Sequence, residues 1–300
     1  MLENPLVSCS VITYNSAKTV IETLESIKDQ TYPNIELIIS DDCSTDNTVE
    51  ICREWLECNR TRFVRTELLT VEKNTGVTGN ANRASFACRG VWQKGIAADD
   101  KMLPNCIADF IDFVNNNPEA CMISSYMRIY NENFDETNCI GRKSVSFRSF
   151  FDLSTSEQLK KMACWNKVMA PSLFIKRELK TKLGGYDGRY SFEDYPFFLK
   201  ALERGYRFYF MDKETVCYRV HQSISHSANQ LFNYSFMKES KRFHEECCYK
   251  YLSPWQRFGQ SLVWKMQSLI VKLNLNKKTK TMEWFYRVYL KVINTTFGLN

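Results

Sequence analysis

The sequence predicts an α/β fold in which a mostly parallel sheet is flanked by helices and followed by a helical C-terminal extension. Two observations lead to this prediction. Over the first 130 residues, short runs rich in β-branched residues alternate with segments of helical spacing, and after residue 226 the pattern becomes helical. Alternation of strands and helices at this spacing is typical of right-handed βαβ units, which build parallel sheets. We therefore divide the chain into 1–226 and 227–300.

The strands of the first part are predicted from short apolar runs. LVSCSVIT (6–13) and IELIIS (35–40) are rich in β-branched residues, as expected for strands buried in a parallel sheet. Between them, 17–29 carries apolar residues at helical spacing and is predicted to be a helix. The alternation continues with a helix at 48–57, a strand at 63–71, a helix at 79–88, a strand at 91–97, a helix at 103–117 and a strand at 120–130.

The pattern is less regular beyond residue 130. NENFDETNCIGRKS (131–144) is predicted to be a loop, whereas 171–179 is predicted to form a strand, 184–190 a turn, and 192–210 a helix followed by a strand. In the second part, one apolar face repeats at three- and four-residue steps, as in an amphipathic helix. Its members are Trp255, Phe258, Leu262, Met266, Leu269, Ile270 and Leu273.

Composition indicates a globular chain. Its 300 residues are 44% hydrophobic, enough for a main domain with a smaller appendage. The twelve cysteines are scattered without a C-x-x-C pair, and most are predicted to be reduced and buried. The N-terminus lacks a basic region followed by a long apolar run, and 7–13 is too short to cross a bilayer. We therefore expect a cytoplasmic protein without a transmembrane anchor.

The net charge of +6 is concentrated near the C-terminus. Residues 250–300 contain nine Lys or Arg and one acid, a balance of +8, which leaves −2 for the rest of the chain. A basic end interleaved with aromatic residues is typical of an amphipathic helix on an anionic membrane. The alternative is that the apolar stripe packs on the main domain and the lysines are merely solvated. No nucleic-acid partner is expected, because no matching module is present.

Polar residues follow four predicted strands, at the edge where a parallel sheet binds its ligands. They are TYN at 13–15, Asp41, NTGVTGNAN at 74–82, and the pair Asp99 and Asp100. Asp41 at a strand tip can accept a hydrogen bond from the N–H of a nucleobase. Asp99 and Asp100 are compatible with a turn, with a cap for the following helix, or with hard oxygen ligands for a divalent cation.

Glu193 and Asp194 lie just ahead of a predicted helix, so they fit either favourable charge at a helix N-terminus or a general base on a rigid element. His221 fits a partly buried histidine bonded to backbone as well as a functional one. The sequence contains no G-x-G-x-x-G, Walker loop, G-x-S-x-G or H-E-x-x-H motif. A dinucleotide or P-loop site is therefore not supported.

Seven motifs in order resemble the motif series of family 2 glycosyltransferases with the GT-A fold, a Rossmann-like sheet flanked by helices. The resemblance covers about residues 6 to 226, and its motifs are SVITYN (10–15), DDCSTDNT (41–48), NTGVTGNAN (74–82), IAADD (96–100), GGYD (184–187), EDYPFFLKALERGY (193–206) and YRVH (218–221). It implies that 1–226 is a catalytic domain that uses nucleotide sugars. The implied enzyme is an inverting, hexosyltransferase-like enzyme that moves a sugar from a UDP- or dTDP-sugar, with Mg²⁺ or Mn²⁺.

The resemblance also implies roles for residues at the matching positions. The nucleotide-binding positions are Thr13, Tyr14, Asn15, Asp41, Asn74, Gly76 and Asp99, with Asp41 reading the base. Asp99 and Asp100 match the end of the family's acidic motif and would hold the metal, together with His221. Asp194 matches the catalytic base, with Glu193 beside it.

One position departs from the family pattern. Family members commonly carry another acid two residues before the closing pair, where this chain has Ala97. The acceptor implied by the resemblance is a glycan or lipid-linked glycan, in synthesis of a cell-surface polysaccharide at the inner face of the plasma membrane. Two alternatives are a nucleotidyltransferase, which would want a glycine-rich basic loop near the first strand, and a nucleotide-sugar-binding module without catalysis, which Ala97 alone favours.

Overall fold

The structure is a computed structural model that describes residues 4–144, 148–220 and 229–300. The chain divides into two compact units. The first consists of Met1–Asp152 and Val168–Val220, and the second consists of Leu153–Lys167 and His221–Asn300. The domain boundary predicted at 226 falls outside the described residues and stays a prediction.

The first unit is built on a sheet that has nine strands among the described residues. In spatial order the strands run β3, β2, β1, β4, β8, β6, β9 and β5, with β7 paired to β6. Neighbours from β3 to β4 are parallel, as are β6 and β9, whereas β8 is antiparallel to both of its neighbours. The strands are β1 (Val7–Thr13), β2 (Ile35–Asp41), β3 (Arg65–Leu69), β4 (Trp92–Ala97), β5 (Lys101–Met102), β6 (Met122–Asn131), β7 (Cys139–Ser144), β8 (Phe174–Lys176) and β9 (Phe208–Val220).

Helices flank the sheet in the first unit and make up most of the second. Those of the first unit are α1 (Val20–Lys28), α2 (Thr48–Asn59), α3 (Gly76–Ala87), α4 (Cys106–Asn116), α6 (Arg177–Lys182) and α7 (Asp194–Glu203). Those of the second unit are α5 (Thr155–Cys164), α8 (Tyr234–Phe243), α9 (Pro254–Lys272) and α10 (Lys280–Thr296).

The core of the first unit lies between the sheet and its helices. β2 is buried at every position, and β1 at all but one, because both are central strands covered on both faces. On one face, Phe174 stacks between Trp92 at 5.0 Å and Phe110 at 4.8 Å between ring centroids. Burying each such side chain contributes roughly 1.5–3 kcal/mol. This packing makes the sheet a rigid support for the loops at its edge.

Every helix and strand predicted over the first 130 residues is present, with small differences in its bounds. The helix predicted at 79–88 begins at Gly76, and the Asn74 side chain accepts the Gly76 N–H at 2.9 Å at this end of the helix. The loop predicted at 131–144 was wrong in part. Cys139–Ser144 forms a strand, but its pairing with β6 is shifted in register, and so its sequence lacks regular alternation.

The cysteines behave as small buried groups rather than as cross-links. None of the twelve forms a disulfide, and most are buried. Burial raises the pKa of Cys52 to about 12 and that of Cys106 to about 11. These thiols therefore stay protonated near neutral pH, and the burial predicted for most of the cysteines is confirmed.

The second unit is a set of packed helices. α9 and α10 run antiparallel, since Trp255 packs on Phe297 with centroids 4.6 Å apart and the Tyr289 hydroxyl donates to the Leu262 carbonyl at 2.9 Å. α9 begins with a capping box in which the Ser253 side chain accepts an N–H one turn ahead. No helix in the described part of the chain is long and apolar enough to span a membrane.

Candidate active site

The candidate site begins where β1, β2 and β4 end side by side. Thr13 lies opposite Asp41 in the β1–β2 register, and Ile12 lies opposite Ala97 in the β1–β4 register. The strands are parallel, so their carboxyl ends meet at one edge of the sheet. The residues that follow them in the sequence are therefore brought together, as predicted.

Asp41 is held in one orientation by the chain around it. Its Oδ2 accepts hydrogen bonds from the Thr13 hydroxyl at 2.7 Å and the Ser44 hydroxyl at 2.5 Å, and its Oδ1 accepts the Ser44 N–H at 2.8 Å. The residue is 1% exposed. An ionised carboxylate has about four acceptor positions. The protein supplies donors to three of them, so one acceptor position remains.

The loop after β1 is tied to the loop after β2. Asn15 adopts a φ of 50°, a conformation that asparagine tolerates better than most residues. Its backbone N–H donates to the Ser44 hydroxyl at 2.8 Å, and its side-chain oxygen accepts the Thr45 N–H at 2.8 Å. Tyr14, held between these contacts, leaves its side chain 51% exposed. An aromatic ring is thus presented to solvent beside Asp41.

The third loop is joined to the second through Asp42. Both oxygens of Asp42 accept the Thr75 N–H at 3.0 Å, and Arg83 lies 3.1 Å away on α3. Burial raises the pKa of Asp42, but the hydrogen bonds from Thr75 and the Arg83 charge outweigh burial and leave the pKa below its usual value. The three loops thus form one connected edge, on which Asn74 and Gly76 are exposed.

Asp99 and Asp100 form a tight turn after β4, closed by the Asp100 N–H donating to the Ala97 carbonyl at 3.2 Å. Arg219 on β9 fixes this turn, because its backbone N–H donates to Asp100 Oδ1 and its guanidinium donates to the Asp99 carbonyl, both at 2.9 Å. The same guanidinium pairs with Glu22 at 2.5 Å. Burial, and then the charge of Asp99, raise the pKa of Asp100 well above its usual range.

These two carboxylates suit a divalent cation only as part of a larger ligand set. Carboxylate oxygens are the ligands that Mg²⁺ and Mn²⁺ prefer. Asp100 is 1% exposed and already accepts one hydrogen bond, whereas Asp99 is half-buried at the tip. In the described part of the chain, no three His, Cys, Asp or Glu side chains are grouped closely enough to hold a metal ion. His221, the third predicted ligand, lies outside the described residues.

A cavity of about 120 Å³ opens next to this edge and contains the predicted catalytic pair. Glu193 and Asp194, at the start of α7, line it together with Ile12 and Ala97 from the ends of β1 and β4. Asp194 Oδ1 accepts the Tyr195 N–H at 2.6 Å. The helix itself is fixed in the core by the buried side chains of Phe197, Phe198, Leu199, Ala201 and Leu202.

Lys180 and Tyr186 also line the cavity, and the sequence did not indicate this. Lys180 is 5% exposed, and its ammonium lies 4.7 Å from the centroid of the Tyr186 ring. Burial lowers the pKa of Lys180 to about 8, although its neighbours Cys88 and Glu193 act in the opposite direction. Burial, and then the charge of Asp194, raise the pKa of Glu193 to about 7. A carboxylic acid and an ammonium thus both titrate near neutral pH in one small cavity.

Comparison with known proteins fits this geometry. Residues 8–176, more than half of the chain, match the family model described as Glycosyl transferase family 2. The chain belongs to this family. This glycosyltransferase is 22% identical over 293 residues to the uncharacterized glycosyltransferase MJ1057 of Methanocaldococcus jannaschii, covering 94% of its own length and 97% of the relative.

A second relative matches over less than half of this chain. The glycosyltransferase is 32% identical over 123 residues to the UDP-Glc:alpha-D-GlcNAc-diphosphoundecaprenol beta-1,3-glucosyltransferase WfaP of Escherichia coli. That match covers 40% of this chain and 46% of the relative. The chain therefore spans less than half of this relative.

Two solved structures share the fold. TarS 1-349 of S. aureus in complex with UDP-GlcNAc aligns with a TM-score of 0.60 at 19% identity, over 79% of this chain and 65% of that one. Mannosyltransferase PcManGT from Pyrobaculum calidifontis, in complex with GDP-Man and Mn²⁺, aligns with a TM-score of 0.57 at 20% identity, over 87% of this chain and 65% of that one. The predicted GT-A fold is thereby confirmed.

Proposed function

We propose that this glycosyltransferase moves a sugar, with inversion at the anomeric carbon, from a nucleoside-diphosphate sugar to a hydroxyl of a glycan or lipid-linked glycan. The observation that carries the proposal is the position of Asp194. Its side chain lines a cavity with Ile12, next to the last residue of β1, and Ala97, the last residue of β4. A base on a rigid helix therefore lies next to the edge that would hold the nucleotide.

Asp194 acts as the general base in this proposal. It takes the proton from the acceptor hydroxyl while that oxygen attacks the anomeric carbon, and the bond to the diphosphate breaks on the opposite face. Glu193, with a pKa of about 7, keeps a proton on one of the two neighbouring carboxyls at and below neutral pH. Lys180 stabilises negative charge in the cavity whenever it is protonated.

The connected loops bind the nucleotide. Asp41 has one acceptor direction left for a base N–H, and Tyr14 offers an exposed ring on which a base can stack. Thr13 and Asn15 hold these two groups in place. Asn74 and Gly76 border the same edge. UDP- or dTDP-sugars are the proposed donors, and TarS with bound UDP-GlcNAc supports the class.

Asp99 would hold Mg²⁺ or Mn²⁺, with Asp100 and His221 as the other proposed ligands from the protein. A bound cation neutralises charge that develops on the departing diphosphate. PcManGT with bound Mn²⁺ supports a divalent cation in this fold. Because Ala97 supplies no carboxylate, oxygens of the diphosphate and water would have to complete the ligand set.

A panel of nucleotide sugars tests the proposal. Purified protein is incubated with UDP-, dTDP- and GDP-sugars and Mn²⁺, and release of the nucleoside diphosphate and thermal stabilisation are measured. We expect one donor class to stabilise the protein and to be turned over slowly by water. No response to any donor would contradict the proposal, and release of pyrophosphate from a nucleoside triphosphate and a sugar phosphate would indicate a nucleotidyltransferase instead.

The Asp194→Asn variant separates a base from a structural residue. Loss of a general base typically costs 10²–10⁴-fold in rate. We expect turnover to fall by about that factor while donor binding, measured by calorimetry, stays within about twofold. Asp152→Asn, the same change at an exposed position, is the control. Undiminished turnover in Asp194→Asn would remove this residue from the role, and binding without turnover in the wild type would indicate a non-catalytic module.

We also propose that the second unit lies on an anionic membrane that carries the acceptor. Trp284, Val288 and Val292 follow one another at four-residue steps on α10 and are exposed, with Lys291 and Arg287 beside them. Such an exposed apolar stripe with basic neighbours fits an in-plane interfacial helix. The helix is not long and apolar enough to cross a bilayer.

Vesicle sedimentation tests this part separately. We expect binding to vesicles of phosphatidylglycerol and phosphatidylcholine to fall at least about tenfold in Trp284→Gln/Val292→Gln, since each lost apolar side chain removes roughly 1.5–3 kcal/mol of burial in the interface. Val64→Gln/Ile140→Gln exchanges two equally exposed apolar residues of the first unit and is the control. Equal binding of both double variants would mean that the stripe makes no membrane contact.

A further inference from the structure

A groove of about 470 Å³ lies within the second unit, between the helical segment that starts with α8 and the C-terminal half of α9. None of the roles proposed above uses it. Its lining residues are Lys241, Glu245, Tyr249, Ser261, Trp264, Lys265, Ser268, Leu269 and Lys272. We propose that this groove binds the phosphate group of an amphiphilic ligand, with its charged head among the lysines and its apolar part along α9.

The charge of the groove favours an anion. Three of its lining residues are lysines and one is a glutamate, which gives +2. Lys241 is 3.6 Å from Glu245, so this pair is partly neutralised. Lys265 and Lys272 form no ion pair with any described carboxylate. Two ammonium groups are therefore available to a phosphate, which lysine binds as a point charge.

The serine and lysine side chains of α9 that line the groove lie on one side of the helix. Ser261, Lys265, Ser268 and Lys272 are separated by three or four residues, so they share one face. Lys241 and Glu245 are also four residues apart, so they share one face of the segment that starts with α8. The Ser261 hydroxyl already donates to the Phe258 carbonyl at 2.7 Å, so the Ser268 hydroxyl is the neutral donor that accompanies the ammonium groups. The groove thus combines point charges with a neutral hydroxyl donor, which suits a phosphate.

The floor of the groove is aromatic and its rim is apolar. Trp264 is 5% exposed, and Tyr249 is partly buried beside it. Leu269 lines the groove and is exposed, and Leu273, one turn further along, is also exposed. A free inorganic anion would not use these apolar side chains. An amphiphile, whose hydrocarbon part leaves water on binding, would.

Calorimetry with soluble short-chain lipids tests the proposal without a bilayer. The full chain is titrated in EDTA with dihexanoyl phosphatidic acid, below its micelle concentration, and in parallel with inorganic phosphate. We expect the lipid to bind at least several-fold more tightly. Equal affinity would overturn the assignment of an amphiphile and point to free phosphate, and no binding of either would overturn the site.

Two charge variants locate the binding. Lys265→Gln/Lys272→Gln is expected to weaken lipid binding about tenfold or more, because each removes a charge-assisted hydrogen bond. Lys277→Gln/Lys280→Gln makes the same change in charge at exposed positions outside the groove and is expected to bind as the wild type does. Equal weakening in both would mean diffuse attraction to a basic surface and would overturn the proposal. Thermal melts of each variant exclude unfolding.

Substitution of the single acid gives a test of opposite sign. Glu245→Gln releases Lys241 and raises the charge of the groove to +3, so we expect tighter binding by several-fold. Glu283→Gln makes the same charge change on α10, outside the groove, and should leave affinity unchanged. Unaltered affinity in Glu245→Gln would contradict the proposal. Because no probe contains a nucleotide sugar, these outcomes are independent of those that test sugar transfer.

Discussion

Thr13, the last residue of β1, donates its hydroxyl proton to Asp41, the last residue of β2, at 2.7 Å. The two residues are register partners, so the bond follows directly from the parallel pairing of the strands. Both are buried. The pairing of the two strands therefore orients the Asp41 carboxylate, which is the group proposed to read the base.

Replacement of Thr13 by valine tests this connection. Thr13→Val keeps the shape of the side chain but leaves Asp41 Oδ2 one donor short, which costs about 1–3 kcal/mol at a buried position. We expect a lower melting temperature and donor binding weakened several-fold, measured by calorimetry. Thr31→Val, at an exposed threonine away from the edge, should change neither. Full donor affinity in Thr13→Val would show that Asp41 needs no such support.

The titration of Glu193 gives a prediction about pH. Its folded pKa of about 7 lies above the usual 4.5, so between these values the native state holds a proton that the unfolded chain has released. The free energy of unfolding therefore falls as pH rises from 4.5 to 7. Glu193→Gln removes this dependence, and at pH 8 we expect it to be more stable than the wild type by roughly 1–3 kcal/mol.

Denaturant unfolding at pH 5 and pH 8 measures the effect. The gain in Glu193→Gln should be large at pH 8 and shrink toward pH 5, where the wild-type group is protonated in the folded state. Glu203→Gln, at the exposed end of the same helix, is the control. A gain of equal size at both pH values would assign the effect to something other than titration of Glu193.

The residues at the edge of the sheet were predicted well, because the sequence signal for each of them is local. The strands of βαβ units have distinctive patterns, and the residue after each strand is known once the strand is known. Asp41 and Asp99 could therefore be placed at one edge before their contacts were known. Asp194 was assigned as the base only through the resemblance of EDYPFFLKALERGY (193–206) to the family motif, and this role stays a prediction.

Contacts made across long stretches of chain left no such signal. Lys180 is a lysine on a short helix, and only the packing around it shows that it is buried next to Glu193. Arg219 stands in the quoted motif at 218–221, but nothing in the pattern indicates that it fixes the turn at Asp99 and Asp100. The strand at 139–144 escaped prediction because its register is irregular.

Arg219 is expected to act as a positioning residue. Arg219→Gln removes the guanidinium bond to the Asp99 carbonyl and the ion pair with Glu22. We expect the Mn²⁺ concentration for half-maximal activity to rise several-fold, with kcat at saturating Mn²⁺ changed less, because the turn loses its fixed geometry. Glu22→Gln removes only the ion pair and should have a small effect. A fall in kcat at every Mn²⁺ concentration would contradict a positioning role.

Ala97 is the position at which we test the proposed dependence on a cation. The residue ends β4 and lines the cavity of Glu193 and Asp194, two positions before Asp99. A carboxylate introduced here adds negative charge near the proposed metal, so Ala97→Asp should lower the half-maximal Mn²⁺ concentration. The same charge should raise the pKa of Glu193 above 7 and move the acid limb of the pH–rate profile to higher pH.

Ala97→Asn has nearly the same shape without the charge and should cause neither change. If both variants change activity alike, the shape of the side chain and not its charge causes the effect. If Ala97→Asp shifts the pH profile but not the Mn²⁺ dependence, the residue at 97 acts on the catalytic pair and not on the cation.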